Sequence, residues 1–229
     1  MGQTKKAAII GGGVIGGGWA ARFLLNGWDV SMFDLDSDAM RKIGEVLDNA
    51  RLSLPSLADA PMPQEGKLLS ADTLKQAVAG AHWIQESVPE RLDIKHKVLG
   101  DIQTKCAPEA IIGSSTSGFK PSELRVGLAH PEQVIVAHPY NPVYLLPVVE
   151  LVGGDGEGSK GAVHKAAALL QDIGMRPVIL KREIDAHIGD RLLEAVWREA
   201  LWLIKDGVAT TQEIDDIITH TKYLPFEFS

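Results

Sequence analysis

Short strand-like runs alternate with helical periodicity along the first 183 residues. The runs cover residues 7–10, 29–34, 82–86, 110–113, 133–137 and 175–180. Between the earlier runs, apolar side chains recur at the spacing of one helix face. Strands that alternate with helices are typical of a parallel sheet covered by helices on both faces. The pattern predicts an α/β fold with a doubly wound sheet over residues 1–183.

Residues 184–229 follow a different pattern. Apolar residues recur at helix spacing up to Gly207, namely Ile188, Leu192, Leu193, Val196, Leu203 and Ile204. Thr210 and Glu213 then fit a capping box for a second helix. Trp197 and Trp202 are large apolar surfaces that two helices cannot cover, so we expect a partner surface, from the same domain or from a second subunit. The pattern predicts the start of an all-helical C-terminal domain.

The composition limits the classes of protein that fit. A chain of 229 residues with 45% hydrophobic content can bury the core of one larger and one smaller domain. The net charge of -7, without a block of like charge, argues against a nucleic-acid partner. No apolar stretch reaches membrane-spanning length and no signal-like leader is visible, so we expect a cytoplasmic protein. The single cysteine, Cys106, excludes an internal disulfide, and no ligand spacing suggests a metal site.

A glycine-rich loop joins the first strand to the first helix. Gly11, Gly13 and Gly16 fit G-x-G-x-x-G, and Asp34 follows about twenty positions later. The first glycine allows the tight turn, the second lets the backbone approach a pyrophosphate, and the third permits close packing of helix on strand. An acid in the place of Asp34 binds ribose hydroxyls and repels a 2′-phosphate, which favours NAD over NADP. Gly12, Gly17 and Gly18 exceed what the motif requires.

These observations predict a Rossmann-type NAD-binding domain. We assign the whole loop to the cofactor, that is, Gly11, Gly12, Gly13, Val14, Ile15 and Gly16, together with Asp34. We expect the first helix to end at Asn26 and Gly27, because an amide and a glycine suit a helix stop.

The segment HPYNPVYLLPVVE carries the candidate chemistry. His138 and Glu150 flank an apolar, proline-bounded run, and they form a general base and its orienting carboxylate if the chain doubles back between them. The alternative is a structural histidine and a solvated glutamate. A run of four hydroxyl residues ending in Ser117 follows the strand at 110–113, at the edge of the sheet where ligands bind in doubly wound folds. Ser117 could bind a substrate oxygen, or the hydroxyls could cap a turn.

Glu90 and Lys95 follow the strand at 82–86. Ser87 and Glu90 fit a capping box for a helix that begins there and runs to about Lys105. The competing interpretation places Glu90 near the nicotinamide end of the cofactor. Lys95, on the same helix, is by default a solvated charge.

Several of these motifs together resemble one family. GGGVIG, the Ser-Ser-Thr-Ser turn, HPYNPVYLLPVVE and DRLLEAVWREALWLIKDGVATTQEIDD occur in the order found in the 3-hydroxyacyl-CoA dehydrogenase superfamily. The likeness covers residues 7 to about 219, and within the superfamily it is closest to L-carnitine 3-dehydrogenases. The resemblance implies NAD-dependent oxidation of the 3-hydroxyl of a small 3-hydroxy acid by a homodimer. It implies His138 as the catalytic base, Glu150 as its orienting partner, and Ser117 and Asn141 as contacts to substrate and nicotinamide.

The resemblance also bears on the cofactor and the substrate. Glu90 and Lys95 match cofactor-side positions of the family. Asp190 falls where acyl-CoA enzymes have asparagine and carnitine enzymes have aspartate, and an anionic side chain suits a substrate with a quaternary ammonium. Three aromatic residues could add ring faces for that cation, although each of them also suits a core: Tyr140, Phe119 and Trp197. Asp190 could instead complement the dipole of its helix.

Two departures from the family pattern stand near the end of the chain. Residues 185–187 read Asp-Ala-His where the family usually has Pro-Gly-Phe, and residues 220–229 do not resemble the further helices of the family. We therefore expect a short, truncated C-terminal domain over 184–229. Alternatives to a carnitine enzyme are a 3-hydroxyacyl-CoA or L-gulonate dehydrogenase, and a catalytically silent nucleotide-binding protein of the crystallin kind.

Overall fold

The computed structural model describes residues 5–58, 60–154 and 157–220. The chain divides into two compact units, the first ending at Asp185 and the second beginning at Ala186. Nearly all of the tail predicted to depart from the family, residues 221–229, lies outside the described residues.

One sheet runs through the first unit. In the described part of the chain it has eight strands in the order β3-β2-β1-β4-β5-β6-β7-β8. The strands are β1 (Lys6–Ile10), β2 (Asp29–Phe33), β3 (Leu68–Ser70), β4 (Trp83–Glu86), β5 (Ile111–Ser114), β6 (Val134–Pro139), β7 (Val148–Val152) and β8 (Arg176–Ile179). The order reverses between β1 and β4, so ligands are expected in the crevice beyond the carboxyl ends of these strands.

Helices connect most of the strands. Those of the first unit are α1 (Val14–Leu25), α2 (Ala39–Ser53), α3 (Leu74–Val78), α4 (Leu92–Gln103), α5 (Pro121–Leu124) and α6 (Glu157–Gln171), with short 3-10 helices at Leu54–Leu57 and Pro131–Gln133. The predicted end of α1 is confirmed: Asn26 is its C-cap and Gly27 has φ +81°. Glycine adopts this left-handed backbone without a steric penalty.

The strand β7 is antiparallel to β6, whereas the other neighbouring strands pair in parallel. Only residues 140–147 separate β6 from β7. A parallel pair needs a crossover of roughly a dozen residues or more, so this link is too short for one and the chain turns back on itself. The chain therefore doubles back between His138 and Glu150, as the predicted pair of base and carboxylate requires.

The core lies on both faces of the sheet. Ala7 and Ile9 of β1 join a cluster with α1, α2 and α6, while Ala8 and Ile10 join a second cluster with α3, α4 and α5. Both clusters consist of residues that are at most 9% exposed, and each buried isoleucine stabilises the fold by about 1.5–3 kcal/mol. The prediction of a doubly wound α/β fold is confirmed.

The second unit contains two helices within its described residues, α7 (Gly189–Lys205) and α8 (Thr211–His220). The predicted capping box of α8 is present, since Glu213 accepts from the Thr210 backbone N–H at 2.8 Å and donates its own backbone N–H to Thr210 Oγ1 at 3.3 Å. No side chain of α7 is buried, and Trp197 is 61% exposed. Each described helix of the protein is too short or too polar to cross a membrane.

Candidate active site

The glycine-rich loop follows β1 and passes close to the end of β4. Gly11 has φ +99°, and a Cβ on it would lie 2.6 Å from the carbonyl oxygen of Ser87. A Cβ on Gly16 would lie 1.9 Å from the carbonyl oxygen of Gly11. Neither position tolerates a side chain, so the first and third glycines of the motif are required by the fold of the loop itself. Around Gly13 a Cβ would meet nothing within 4 Å, which leaves its backbone open to a ligand.

Asp34 closes the other side of this loop. Its Oδ2 accepts a hydrogen bond from the Gly12 N–H, and its Oδ1 accepts one from the Asp36 N–H at 2.7 Å. These bonds hold the carboxylate beside the glycine loop at the carboxyl end of β2.

A cleft of about 1150 Å³ opens over the carboxyl ends of β1, β2 and β4. Its lining includes Gly11, Gly12, Gly13, Phe33, Asp34, Ser87, Val88 and Ile94. The helix α1 begins at Val14, carries no acidic residue in its first turn, and so offers its positive end to an anion. The open backbone, the fixed acid and the size of the cleft fit a dinucleotide.

His138 and Glu150 lie opposite each other in the register of β6 and β7. The His138 Nδ1–H donates to Glu150 Oε2 at 2.9 Å, and both residues are buried, at 6% and 2% exposure. Because an ionised carboxylate can only accept, this bond sets the proton of the neutral imidazole on Nδ1 and makes Nε2 the basic nitrogen. The pair therefore has the geometry of a general base with an orienting acid.

Three other predicted site residues lie in the loops that follow β5 and β6. The Tyr140 ring lies against the His138 ring, with 5.2 Å between the centroids. Asn141 is exposed in the loop that follows β6, and Ser117 is half-buried in the loop that follows β5. Since β5 and β6 are parallel neighbours, Ser117 and His138 lie at the same edge of the sheet.

A second buried acid–base pair lies beneath the loop after β4. Lys95 Nζ donates to Glu86 Oε1 at 2.9 Å and to the Val88 carbonyl at 3.3 Å. Glu86 also accepts from the Val88 N–H at 2.8 Å and from the Ser114 hydroxyl. Lys95 and Glu86 are 1% and 0% exposed. The default interpretation of Lys95 as a solvated charge is therefore wrong.

Glu90 connects this pair to the loop after β5. Its Oε2 lies 3.1 Å from Lys95 Nζ, and its Oε1 accepts from the Thr116 hydroxyl and from the Gly118 N–H at 3.3 Å. Burial on its own would raise the pKa of Glu90, but the Thr116 hydrogen bond and the charge of Lys95 outweigh it and bring the pKa below its ordinary value of 4.5. Glu90 is therefore ionised at neutral pH.

The predicted capping box of Ser87 and Glu90 is wrong. The helix α4 begins at Leu92 and its N-cap is Arg91. Ser87 instead shares a hydrogen bond of 2.8 Å with the Ser115 hydroxyl. The two side chains are engaged by the loop after β5, a tertiary contact that the local pattern does not contain.

The remaining predicted contacts lie in other elements. Asp190 is in the first turn of α7, in the second unit. Phe119 is half-buried and packs against the core cluster of α3, α4 and α5. Trp197 is exposed on α7.

Comparison with known proteins identifies the family of this chain. A family model described as 3-hydroxyacyl-CoA dehydrogenase, NAD binding domain, matches residues 6–184. This chain belongs to the 3-hydroxyacyl-CoA dehydrogenase family. It therefore carries the NAD-binding domain of that family, and the prediction of NAD as the cofactor is confirmed.

Family relatives with high identity are named after carnitine. The L-carnitine dehydrogenase/betainyl-CoA thioesterase of Ruegeria pomeroyi is 64% identical over 212 residues, which cover 93% of this chain and 43% of the relative. The L-carnitine dehydrogenase of Mesorhizobium japonicum is 55% identical over 221 residues, which cover 96% of this chain and 60% of the relative. The chain thus spans less than two thirds of the length of either relative.

A solved structure agrees with the family fold. The NAD⁺-dependent 5-formyl-3-hydroxy-2-methylpyridine 4-carboxylic acid 5-dehydrogenase superposes with a TM-score of 0.86 at 28% identity, over 96% of this chain and 72% of that one.

Several residues of the cluster were not predicted from the sequence. Glu86 and Ser114 form buried hydrogen bonds, and Thr116 a partly buried one, that hold a candidate residue or its neighbour. The available signal was the position of Glu86, a carboxylate at the end of an apolar strand, where a charge must find a partner if the strand is buried.

Proposed function

We propose that this chain provides the NAD site and the general base of a dehydrogenase that oxidises the 3-hydroxyl of L-carnitine to 3-dehydrocarnitine. The observation that carries the proposal is the 2.9 Å hydrogen bond between His138 Nδ1 and Glu150 Oε2, at the edge of the sheet onto which the NAD cleft opens. The carnitine substrate is supported by the names of relatives that are 55–64% identical over most of this chain.

The roles of the catalytic residues follow from their chemistry. Neutral His138 takes the hydroxyl proton of the substrate on Nε2, and Glu150 stabilises the imidazolium that forms. Ser117 holds the reacting oxygen through its hydroxyl, and Asn141, an exposed residue near the start of the loop after β6, contacts the substrate or the nicotinamide. NAD, when bound, supplies the acceptor for the hydride that leaves the same carbon.

The cofactor-side residues divide into a direct and an indirect group. The side chain of Glu90 is 43% exposed and follows Ser87, Val88 and Pro89 of the cleft lining, whereas that of Lys95 is 1% exposed and already binds Glu86 and Glu90. We therefore assign the cofactor contact to Glu90 and to the loop of Gly11, Gly12, Gly13, Val14, Ile15 and Gly16, with Asp34 on the ribose. Lys95 acts by fixing Glu90.

Asp190 is the residue we propose to select a cationic substrate. A carboxylate attracts a quaternary ammonium and repels the phosphates of a CoA thioester. Asp190→Asn should raise KM for L-carnitine severalfold or more while NAD affinity stays unchanged. A control is Asp206→Asn at the other end of α7, which should leave both values unchanged.

The first experiment measures NADH formation from NAD at alkaline pH, where release of a proton favours oxidation. The full-length protein is offered L-carnitine, a 3-hydroxybutyryl-CoA thioester and L-gulonate in parallel. We expect turnover with L-carnitine, and its loss in His138→Gln. The matched control is His130→Gln, because His130 lies 3.7 Å from Glu132 in a similar pair on the surface.

Each outcome separates the candidates. Turnover with the thioester or with L-gulonate alone would replace carnitine as the substrate but keep the dyad. NAD binding without turnover on any substrate would support the nucleotide-binding protein that lacks catalysis. Full activity in His138→Gln would overturn the assignment of the base.

We also propose that the protein works as a homodimer in the cytoplasm. The homodimer is supported by the exposed apolar residues of α7, among them Leu193 and Trp197 at 64% and 61% exposure, because water-exposed surfaces of this kind usually mark contacts. Light scattering coupled to gel filtration tests the oligomer, and cell fractionation tests the location. A monomer at micromolar concentration would contradict the first proposal.

A further inference from the structure

Gly17 and Gly18 follow the third glycine of the dinucleotide motif, and the motif explains neither of them. They lie side by side in α1 but face different neighbours. A Cβ on Gly17 would lie 3.5 Å from Val46 Cγ2 of α2, which is an ordinary van der Waals contact. A Cβ on Gly18 would lie 2.9 Å from Val143 Cβ, 3.1 Å from its Cγ2 and 3.4 Å from its backbone nitrogen. Of these two glycines, Gly18 is therefore the one that lies closer to a neighbouring segment than a side chain would allow.

That segment is the loop 140–147 between β6 and β7. It begins directly after His138 and Pro139, carries Asn141, and returns the chain to Glu150. Val143 is fully buried against the cluster that contains α1. The backbone N–H groups of Leu145 and Leu146 both bond the carbonyl of Pro142, at 2.9 Å, so the loop is a compact turn around Val143.

A second contact ties the same loop to the same helix. Arg22 lies one turn after Gly18, on the same face of α1. Its guanidinium is 4% exposed and donates to the Tyr144 carbonyl at 3.4 Å and to the Gly174 carbonyl at 3.0 Å. Burial lowers the pKa of Arg22, and its guanidinium donates from Nη1 and Nη2 to the two carbonyl oxygens and from Nε to Met175 Sδ at 3.0 Å. The loop 140–147 is therefore seated on α1 at two successive positions.

The other end of α1 adjoins the cofactor site, since its first turn directly follows Gly13, which lines the cleft. One rigid helix thus connects the groups that hold the dinucleotide to the loop that leaves His138. In a hydride transfer the reacting atoms must approach to about 3–3.5 Å, and a misplacement of about 1 Å can cost about 100-fold in rate.

We propose that Gly18 is a positioning residue that sets the spacing between the NAD cleft and the loop 140–147 by admitting Val143 against α1. The expected fall in kcat rests on the proposed function, whereas the expected displacement of the loop 140–147 does not. A methyl group at position 18 must move the loop by roughly 0.5–1 Å to restore a normal carbon–carbon contact. The displacement falls on the substrate side of the site and leaves the glycine loop in place.

The test compares Gly18→Ala with Gly17→Ala. The two variants make the same chemical change at adjacent positions of one helix and differ only in the neighbour that the methyl group meets. We expect NAD affinity, measured by calorimetry, to stay within about threefold of the wild type in both. In Gly18→Ala, kcat should fall by about tenfold or more, whereas Gly17→Ala should keep it.

A second variant addresses the contact itself. Val143→Gly removes the side chain that the methyl group of Gly18→Ala would meet. By itself, Val143→Gly should lower kcat. In the Gly18→Ala background it should instead cost less than it does alone, because the collision is gone. If the two single effects simply multiply in the double variant, the contact does not carry the coupling and the inference is wrong.

A measurement without turnover keeps the inference separate from the proposed function. Amide hydrogen exchange of residues 140–147 should speed up in Gly18→Ala and not in Gly17→Ala. Unchanged exchange in this loop would overturn the inference whatever the substrate. A wild-type protein that turns over none of the offered substrates would overturn the proposed function, and the exchange experiment would then decide the inference by itself.

Discussion

The two buried acid–base pairs of the first unit are built differently. Glu86 and Lys95 lie nine positions apart along the chain, at the end of β4 and in α4, and neither side chain exceeds 1% exposure. His138 and Glu150 are cross-strand neighbours of an antiparallel pair. The first pair joins an ammonium to a carboxylate out of contact with solvent, which is a structural ion pair. Imidazole can gain and lose a proton near neutrality, so the second pair can take part in proton transfer.

This difference in chemistry predicts which substitutions lower the stability of the fold and which lower the rate of the reaction. A buried carboxylate that loses its cation also loses the attraction that offset its desolvation. A histidine that loses its carboxylate can remain neutral. The lysine pair should therefore control stability and the histidine pair activity.

The largest effect on stability is expected from Lys95→Met. Methionine keeps much of the length of lysine but leaves Glu86 buried without its cation, which should lower the free energy of unfolding by about 3–5 kcal/mol. Thermal and urea unfolding measure this loss. Arg91→Gln is the control, because Arg91 pairs with Asp93 on the surface, where the two side chains are 66% and 67% exposed. This substitution should change the melting temperature little. A loss in Lys95→Met as small as that of the control would show that the buried pair stabilises nothing.

The next effect is on the reaction, in Glu150→Gln. The amide cannot stabilise an imidazolium as a carboxylate does, so kcat should fall by about 100-fold, which corresponds to about 2.7 kcal/mol. The free energy of unfolding should change less than in Lys95→Met. The control is Glu132→Gln, beside exposed His130. If Glu150→Gln unfolds the protein but a folded fraction retains its kcat, the contrast between the two pairs is wrong.

A smaller effect is expected from Thr116→Val, which probes the link between the lysine pair and the cofactor cleft. The Thr116 hydroxyl donates to Glu90 and accepts from the Phe119 N–H at 3.0 Å. Its loss should cost about 1–2 kcal/mol of stability and raise the Kd for NAD severalfold, because Glu90 is then less firmly held. Thr104→Val is the control, since the Thr104 hydroxyl donates to the Asp101 carbonyl and accepts from Lys105 Nζ, both at the exposed end of α4. An unchanged Kd would remove Glu90 from the cofactor contacts.

The smallest effect is the pH dependence that comes from Glu90. Its pKa is lower in the folded protein than the ordinary 4.5, so its contribution to stability is complete above that value and is lost as the pH falls through the folded pKa. The melting temperature of Glu90→Gln should therefore lie below that of the wild type at neutral pH, and the two should converge in acid. A gap that stays constant down to about pH 3 would contradict the lowered pKa.

The sequence by itself determined those features that depend on neighbours along the chain. The glycine loop, the stop of α1 at Asn26 and Gly27, and the capping box of Thr210 and Glu213 all follow from local sterics and local hydrogen bonds. The alternation of strands and helices was also sufficient to predict the doubly wound sheet, because burial on both faces demands that pattern.

Tertiary structure decided the rest. Ser87 and Glu90 carry the same capping signature as Thr210 and Glu213, yet α4 begins at Leu92, because Ser115, Thr116 and Lys95 offer these side chains better partners. The contact between His138 and Glu150 depends on β7 running antiparallel to β6, and the need for glycine at position 18 depends on Val143, 125 positions later, being seated on α1. Such contacts join segments that are distant in the chain, and only the packed sheet and its helices bring them within hydrogen-bonding or van der Waals distance.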